Sequence, residues 1–407
     1  MEIDFTYHYF GQFFNFAIMP FVNYFQSATR SLASELKRRF AGENFAPNPA
    51  AMPSSLASKN PGIRGVWIPS TDCQVLTSKQ RIAEAMNFLA DTGFNTVFPV
   101  VWNRGFTAYP SQIMREQFGA EIDARYQGRD PLAEICVEAK RVSLKVIPWF
   151  EYGFVSSYNL NGGHLLAKKP EWAARDCSGN LLKKNNFEWM NSLDPEVQEF
   201  LLGLMLEVAN NYPVNGVQGD DRIALPAEGG YDEKTVKRYR EECGREPPAH
   251  CRERHWLHWR ADIITEFVAR LHRELKAINP DLLLSMSPSP YEWGLVEYLQ
   301  DSKAWVDKKL VDMLHPQFYR RDFNAYKQLV DRLIGEQLSG EQVQCVSPGI
   351  LLANRGSHYS ITPELLLQVI AYNRCRGIQG EVLFFYEGLR DNGNALAEVL
   401  KNGPYAR

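Results

Sequence analysis

Four acids in this chain stand directly after short apolar runs, where a carboxyl at the end of a strand can reach a reacting bond. Glu151 follows the run 145–150, Asp220 and Asp221 follow 216–219, and Glu387 follows 382–385. Cleaving a glycosidic bond needs two carboxyl groups, one to protonate the leaving oxygen and one to attack or to activate water. The four acids could supply that pair. Aromatic and amide side chains occupy comparable positions. Trp102 and Asn103 follow the run 96–101, Trp149 and Tyr152 flank Glu151, and Arg222 follows Asp221. His315, Gln317 and Tyr319 follow the run 311–314, and Tyr386 precedes Glu387. Rings of this kind would stack on sugar faces, and the amides and guanidinium would hydrogen-bond sugar hydroxyls.

Side chains alternate across a strand. If Gln218 faces an interior, so does Asp220, and Asp221 points away. By the same parity Trp149 goes with Glu151, Phe385 with Glu387, and His315 with Gln317 and Tyr319. Asp220 is therefore read as nucleophile or base and Glu151 as its partner acid, with Glu387 in reserve. Burial beside aromatics would raise the acid's pKa. The structural alternative is that a strand-end acid only caps the next helix or pairs with an arginine such as Arg222.

The elements that must position these groups alternate regularly. Apolar runs at 63–68, 96–101, 145–150, 216–219, 282–286, 311–314, 344–347 and 382–385 read as strands. Helical periodicity is clearest at 79–92, 131–142, 197–212 and 261–278. Strands alternating with helices imply parallel βαβ units, and eight of them imply an α/β chain folded as a (β/α)₈ TIM barrel. An open doubly wound sheet would carry a Gly-rich loop after its first strand, and Pro69-Ser70-Thr71-Asp72 is not one. The excess over a minimal barrel falls at 153–193 and 223–258, in loops expected on the catalytic face. Domain boundaries are set at 1–61 for an extension and Pro-rich linker, 62–390 for the barrel, and 391–407 for a C-terminal helix and tail packing on it.

Composition narrows the function classes. Formal net charge is −3 from 45 basic and 48 acidic residues, with no basic block, which argues against a nucleic-acid partner. The seven cysteines are scattered without a CxxC pair, against a disulfide framework or zinc-thiolate site. The eight histidines are dispersed, no His-x-His ends the first strand, and no GxSxG elbow is present. The chemistry calls for no metal or other cofactor. Residues 13–25 are apolar and aromatic but broken by Asn15, Pro20 and Asn23, too short for a transmembrane span. No Lys or Arg precedes them, so the positive start of a signal peptide is missing. That segment reads as a helix on the barrel or a membrane surface, or as an altered signal sequence. Oligomeric state is not readable.

Several stretches in order resemble the glycoside-hydrolase-like family 10 proteins, bacterial envelope barrels, over roughly residues 62–388. They are Arg64-Gly65-Val66-Trp67, Ala108-Tyr109-Pro110-Ser111, Asp130-Pro131-Leu132, Pro148-Trp149-Phe150-Glu151-Tyr152, Pro170-Glu171-Trp172, Leu193-Asp194-Pro195, Gly216-Val217-Gln218-Gly219-Asp220-Asp221 and Pro316-Gln317-Phe318-Tyr319. The resemblance implies hydrolysis of a bacterial glycan, with peptide-free peptidoglycan strands the leading substrate. It implies a cell-envelope or periplasmic location, whereas the N-terminus leaves a cytoplasmic one open. Glu151 stands where the family pattern carries Asn. A non-catalytic glycan-binding barrel is the alternative from another functional class. A glycosyl transferase or a deacetylase on the same barrel is a third.

Overall fold

A computed structural model describes residues 62–406. The expected N-terminal helical extension and linker lie outside the described residues. Residues 62–353 and 360–406 form one compact unit. Its strands are β1 Arg64–Ile68, β2 Thr96–Pro99, β3 Lys145–Val146 resuming as Trp149–Phe150, β4 Gly216–Gly219, β5 Leu283–Met286, β6 Met313–Leu314, β7 Gly349–Leu351 and β8 Glu381–Phe384. Parallel pairing runs β7-β8-β1-β2-β3 in one sheet and β6-β5-β4-β3 in the other. Parallel bridges Val100–Trp149 and Gln317–Gly349 join the two sheets. The chain is a closed (β/α)₈ barrel.

Helices follow the strands: α1 Lys79–Thr92, α2 Pro131–Arg141, α3 Pro195–Asn211, α4 Arg254–Ile278, α5 Ser302–Asp307, α6 Phe323–Arg332, α7 Pro363–Cys375 and α8 Tyr386–Lys401. Their starts have local causes. Before α2, α3 and α7, Asp130, Asp194 and Thr362 each precede a proline and accept a hydrogen bond from a first-turn backbone N–H. Such a cap satisfies a donor that the helix leaves orphaned, and proline fits the first position at no hydrogen-bond cost. Asp194 also takes a 2.6 Å ion pair from Lys234. Asp194→Ala is therefore expected to cost about 1–2 kcal/mol, read as a lower denaturant midpoint. An unchanged midpoint would deny the cap this weight.

The barrel interior carries the aromatic mass. Trp67 lies within ring-centroid distances of 5.9 Å from Phe98, 6.1 Å from Phe384, 6.3 Å from Trp149 and 6.4 Å from His315. Its Nε1 donates to Gln218 Oε1 at 2.7 Å, and Gln218 Nε2 donates to Ser285 Oγ at 2.8 Å. This buried polar line crosses the barrel with its groups paired, as a low-dielectric interior demands. Gln218 faces inward, and the same parity carries Asp220 over the barrel mouth.

Two elements differ from expectation. The seventh strand is not 344–347. Gly340–Cys345 forms a 3₁₀ helix, and the strand begins after Pro348, where a Cβ on Gly349 would stand 3.1 Å from Trp67 and 3.3 Å from Tyr319. Helix α4 starts at Arg254, capped by the Glu253 side chain, so the end of the stretch expected as loop at 223–258 is helical. Within α8 the residues Asp391–Asn394 have non-helical φ/ψ, so a kink divides the first helical turns after β8 from the C-terminal helical segment. The insertion at 153–193 contains a three-stranded antiparallel sheet of Val155–Tyr158, Lys183–Lys184 and Phe187–Trp189.

Candidate active site

The tip of β4 carries the densest charge in the barrel mouth. Asp220 is 2% exposed. Gln317 Nε2 donates to its Oδ1 at 2.8 Å, and Arg222 Nη1 donates to its Oδ2 at 3.1 Å. The same Arg222 nitrogen lies 3.3 Å from Asp221 Oδ1 and donates to the backbone oxygen of Glu151 at 3.0 Å. Its guanidinium lies over Phe187 at 4.5 Å and Tyr152 at 5.9 Å. Glu151 is itself buried, and Asn103 Nδ2 donates to its Oε2. Asn103 reaches it from a hairpin, Trp102–Asn103 with Phe106–Thr107, that follows β2.

Electrostatics follow from this crowding. Burial pushes the Asp220 carboxyl well above the usual carboxylate range, and neighbouring Asp221 and Glu151 add to the shift while Arg222 opposes it. Burial likewise raises Glu151, opposed by Arg222 and Asn103. Acids crowded beside one cation resist ionising together. Burial and the facing carboxylates also hold the Tyr319 phenol well above its ordinary value, which keeps it a hydrogen-bond donor.

Asp220, Asp221, Glu151, Asn103, Arg222, Gln317 and Tyr319 thus come together. Other residues read from the sequence as site groups are placed elsewhere. Glu387 sits in the first turn of α8, and its Oε1 accepts from the backbone N–H of Gln74 at 3.2 Å. The strand ends at Phe384, whose ring faces Trp67, so the parity assumed for Phe385 and Glu387 does not hold. In a closed eight-stranded barrel β8 also lies opposite β4. Tyr386 packs edge-on to Phe88 of α1 at 5.9 Å. His315 is fully buried, its Nδ1 lies 2.8 Å from Ser347 O, and burial lowers its pKa to about 4, so it is a neutral core ring. Trp102, Trp149 and Tyr152 were expected to present faces to sugars, yet they are 0%, 3% and 0% exposed. Trp102 donates from Nε1 to Gly153 O at 3.0 Å and packs on Phe200 of α3. Among the described residues no group of three or more His, Cys, Asp or Glu is placed to hold a metal ion.

The pattern of the glycosyl hydrolase-like 10 family matches residues 62–356, from the first strand through the seventh. The chain belongs to this family. Among its relatives is glycosyl hydrolase DigH of Escherichia coli K12, 24% identical over 288 residues, 64% of this chain and 62% of that protein. The chain thus spans less than two thirds of the DigH length. Glycosyl hydrolase YngK of Bacillus subtilis is 22% identical over 381 residues, covering 85% of this chain and 72% of that one. Two solved structures share the fold. The PgaB (BpsB) glycoside hydrolase domain from Bordetella bronchiseptica has a TM-score of 0.63 at 11% identity, covering 84% of this chain and 99% of that one. The catalytic domain of β-amylase from Paenibacillus polymyxa has a TM-score of 0.57 at 11% identity, covering 82% and 94%.

In this glycosyl hydrolase-like 10 barrel, three supports of the acid cluster escape a reading of strand ends. Gln300 is fully buried in the loop after β5. Its Oε1 accepts from Ser289 N at 3.1 Å, and its Nε2 donates to the backbone oxygens of Asp220 at 3.4 Å and Ile223 at 3.3 Å. Phe187, from the 153–193 insertion, lies under Arg222. Gly153 has φ +46°, and a Cβ there would come within 2.2 Å of Arg222 O. Gly153→Ala is therefore expected to shift the Arg222 backbone. Misplacement by about 1 Å can cost roughly 10²-fold in rate. Steady-state activity with circular dichroism checks this: a folded variant at full activity would contradict it.

Proposed function

We propose that this chain hydrolyses glycosidic bonds of a bacterial glycan, with peptide-free peptidoglycan strands as the substrate. The observation that carries the reading is the pairing of two buried carboxyls under unequal restraint. Asp220 has an N–H donor on each oxygen, which orients it as a carboxylate able to attack the anomeric carbon or activate water. Glu151, buried and held by one amide donor, is read as the acid that gives a proton to the leaving oxygen. Arg222 tunes both acids, and Asn103, Gln317 and Tyr319 are placed to hold sugar hydroxyls. Asp221 completes the charge balance at Arg222. The relatives' names, both glycosyl hydrolases, support the reaction class.

The glycan-binding alternative expects the reverse pattern, an aromatic wall open to sugar without a restrained acid pair. Here Trp102, Trp149 and Tyr152 are buried and the acids are gathered. Incubation of the purified protein with peptide-free strands, followed by mass analysis of soluble products, tests the reading. New reducing ends from the wild type are expected. Strand binding without products would return the chain to the binding class.

A further inference from the structure

Trp293 is one of three large hydrophobic side chains marked by their exposure among the described residues, at 48%. Val137 lies on α2, on the outside of the barrel, and Leu160 lies in the insertion after β3. Trp293 instead opens a short helix, Trp293–Tyr298, in the loop that follows β5. That loop belongs to the face where the acids sit. An exposed tryptophan alone needs no explanation. This one is tied to the acid cluster by a chain of contacts.

Tyr298 lies 5.3 Å from Trp293 between ring centroids, and burial, with Asp221 among the nearby charges, raises its phenol. The helix is fixed to the chain leaving β4, since Leu225 N donates to Tyr298 O at 3.2 Å and Ala227 N to Glu297 O at 3.0 Å. Gln300, just beyond it, holds the backbone of Asp220 and Ile223. On the outer side Lys184 and Arg252 pair with Glu297 at 2.8 and 2.7 Å and with Glu228 at 3.1 and 2.6 Å. Lys184 also lies 4.7 Å over the Tyr298 ring. The indole therefore rides on a segment braced on both sides, and holding it in place costs a ligand little ordering entropy.

We infer that Trp293 is the stacking platform of an outer subsite, which holds a sugar unit of the same glycan chain beyond those bound over Asp220 and Glu151. This rests on the glycan-hydrolase reading above and adds to it where the chain leaves the cleft. A sugar ring laid on the indole would cover an apolar face that water now meets, while Asn185, whose Nδ2 donates to the Tyr298 hydroxyl at 3.1 Å, offers polar contact beside it. On this reading a short oligosaccharide that spans only the acids leaves Trp293 uncovered, and a long strand covers it.

The test compares wild type, Trp293→Ala and Trp293→Phe on peptide-free strands fractionated by length. For Trp293→Ala, kcat/KM on long strands should fall between about twofold and tenfold, carried by KM, with short strands cleaved as by wild type. Trp293→Phe should recover most of the loss. The side chain is exposed, so melting temperatures should coincide. Equal losses on short and long strands, or none on either, would overturn the subsite and leave the hydrolase reading standing. A wild type that neither cleaves nor binds strands of any length would overturn both.

Discussion

Asp220→Asn is expected to lower kcat/KM on a cleavable glycan by about 10³-fold or more, roughly 4 kcal/mol of lost transition-state stabilisation. Asparagine keeps the shape, and its one amide oxygen can still accept from either Gln317 or Arg222, while the other donor then meets the amide NH2. What disappears is the negative charge over the barrel mouth. The same substitution removes a buried carboxyl whose ionisation is resisted by burial and by two neighbouring acids. Stability should accordingly hold or rise, as often happens when a strained catalytic group is neutralised. Activity lost with an unchanged or higher melting temperature separates a chemical role from a structural one. Loss of activity together with loss of fold would make Asp220 a structural residue.

Arg222→Gln has the largest expected effect on stability. Arg222 is 8% exposed and faces Asp220, Asp221 and the Glu151 backbone. Removing one partner of a buried charge cluster costs about 3–5 kcal/mol, because the remaining charges are left unpaired. The loss should depend on pH with a definite sign. Asp220 and Glu151 have folded pKa values raised above their unfolded ones. Their favourable contribution is therefore complete below the unfolded value, about 4, and is lost as pH rises through the folded value. Arg222 lowers both, so without it the window of loss extends further upward. Urea unfolding of Arg222→Gln against wild type should show a larger deficit at pH 7 than at pH 4.5. A deficit of the same size at both would mean that the guanidinium acts through packing on Phe187 and Tyr152.

Much of the barrel was legible because its signals are local. Gly216–Gly219 and Lys79–Thr92 have the expected bounds, and Asp130-Pro131 and Asp194-Pro195 mark helix starts by a cap and a fixed φ. The seventh strand was misplaced because Gln344 and Cys345 end a 3₁₀ helix and only Val346 is extended before Pro348, in a lone bridge to Leu314. What admits the strand there is a missing Cβ at Gly349 against Trp67, a contact between distant parts of the chain. Glu387 was misread for a related reason: alternation holds only while the strand lasts, and α8 begins at Tyr386. Strand parity did bring Asp220 and Gln218 to the same interior. It could not say that Trp102, Trp149 and Tyr152 have their faces covered, since a ring in a sugar wall and a ring in a core have the same sequence neighbourhood. Gln300 was invisible because it works through backbone oxygens, and Gly153 because its role is the close passage of Arg222.

The central claim is that Asp220 and Glu151 act as a pair with one proton between them. Its most direct test is the pH dependence of kcat/KM for wild type and Glu151→Gln on peptide-free strands. The wild-type profile should be bell-shaped, with an acid limb from the carboxyl that must ionise and an alkaline limb from the one that must keep its proton, both above the ordinary carboxylate range. Glu151→Gln should lose activity by about 10²-fold or more, and its residual rate should lack the alkaline limb. A Glu151→Gln protein that keeps the wild-type rate and both limbs would contradict the pair.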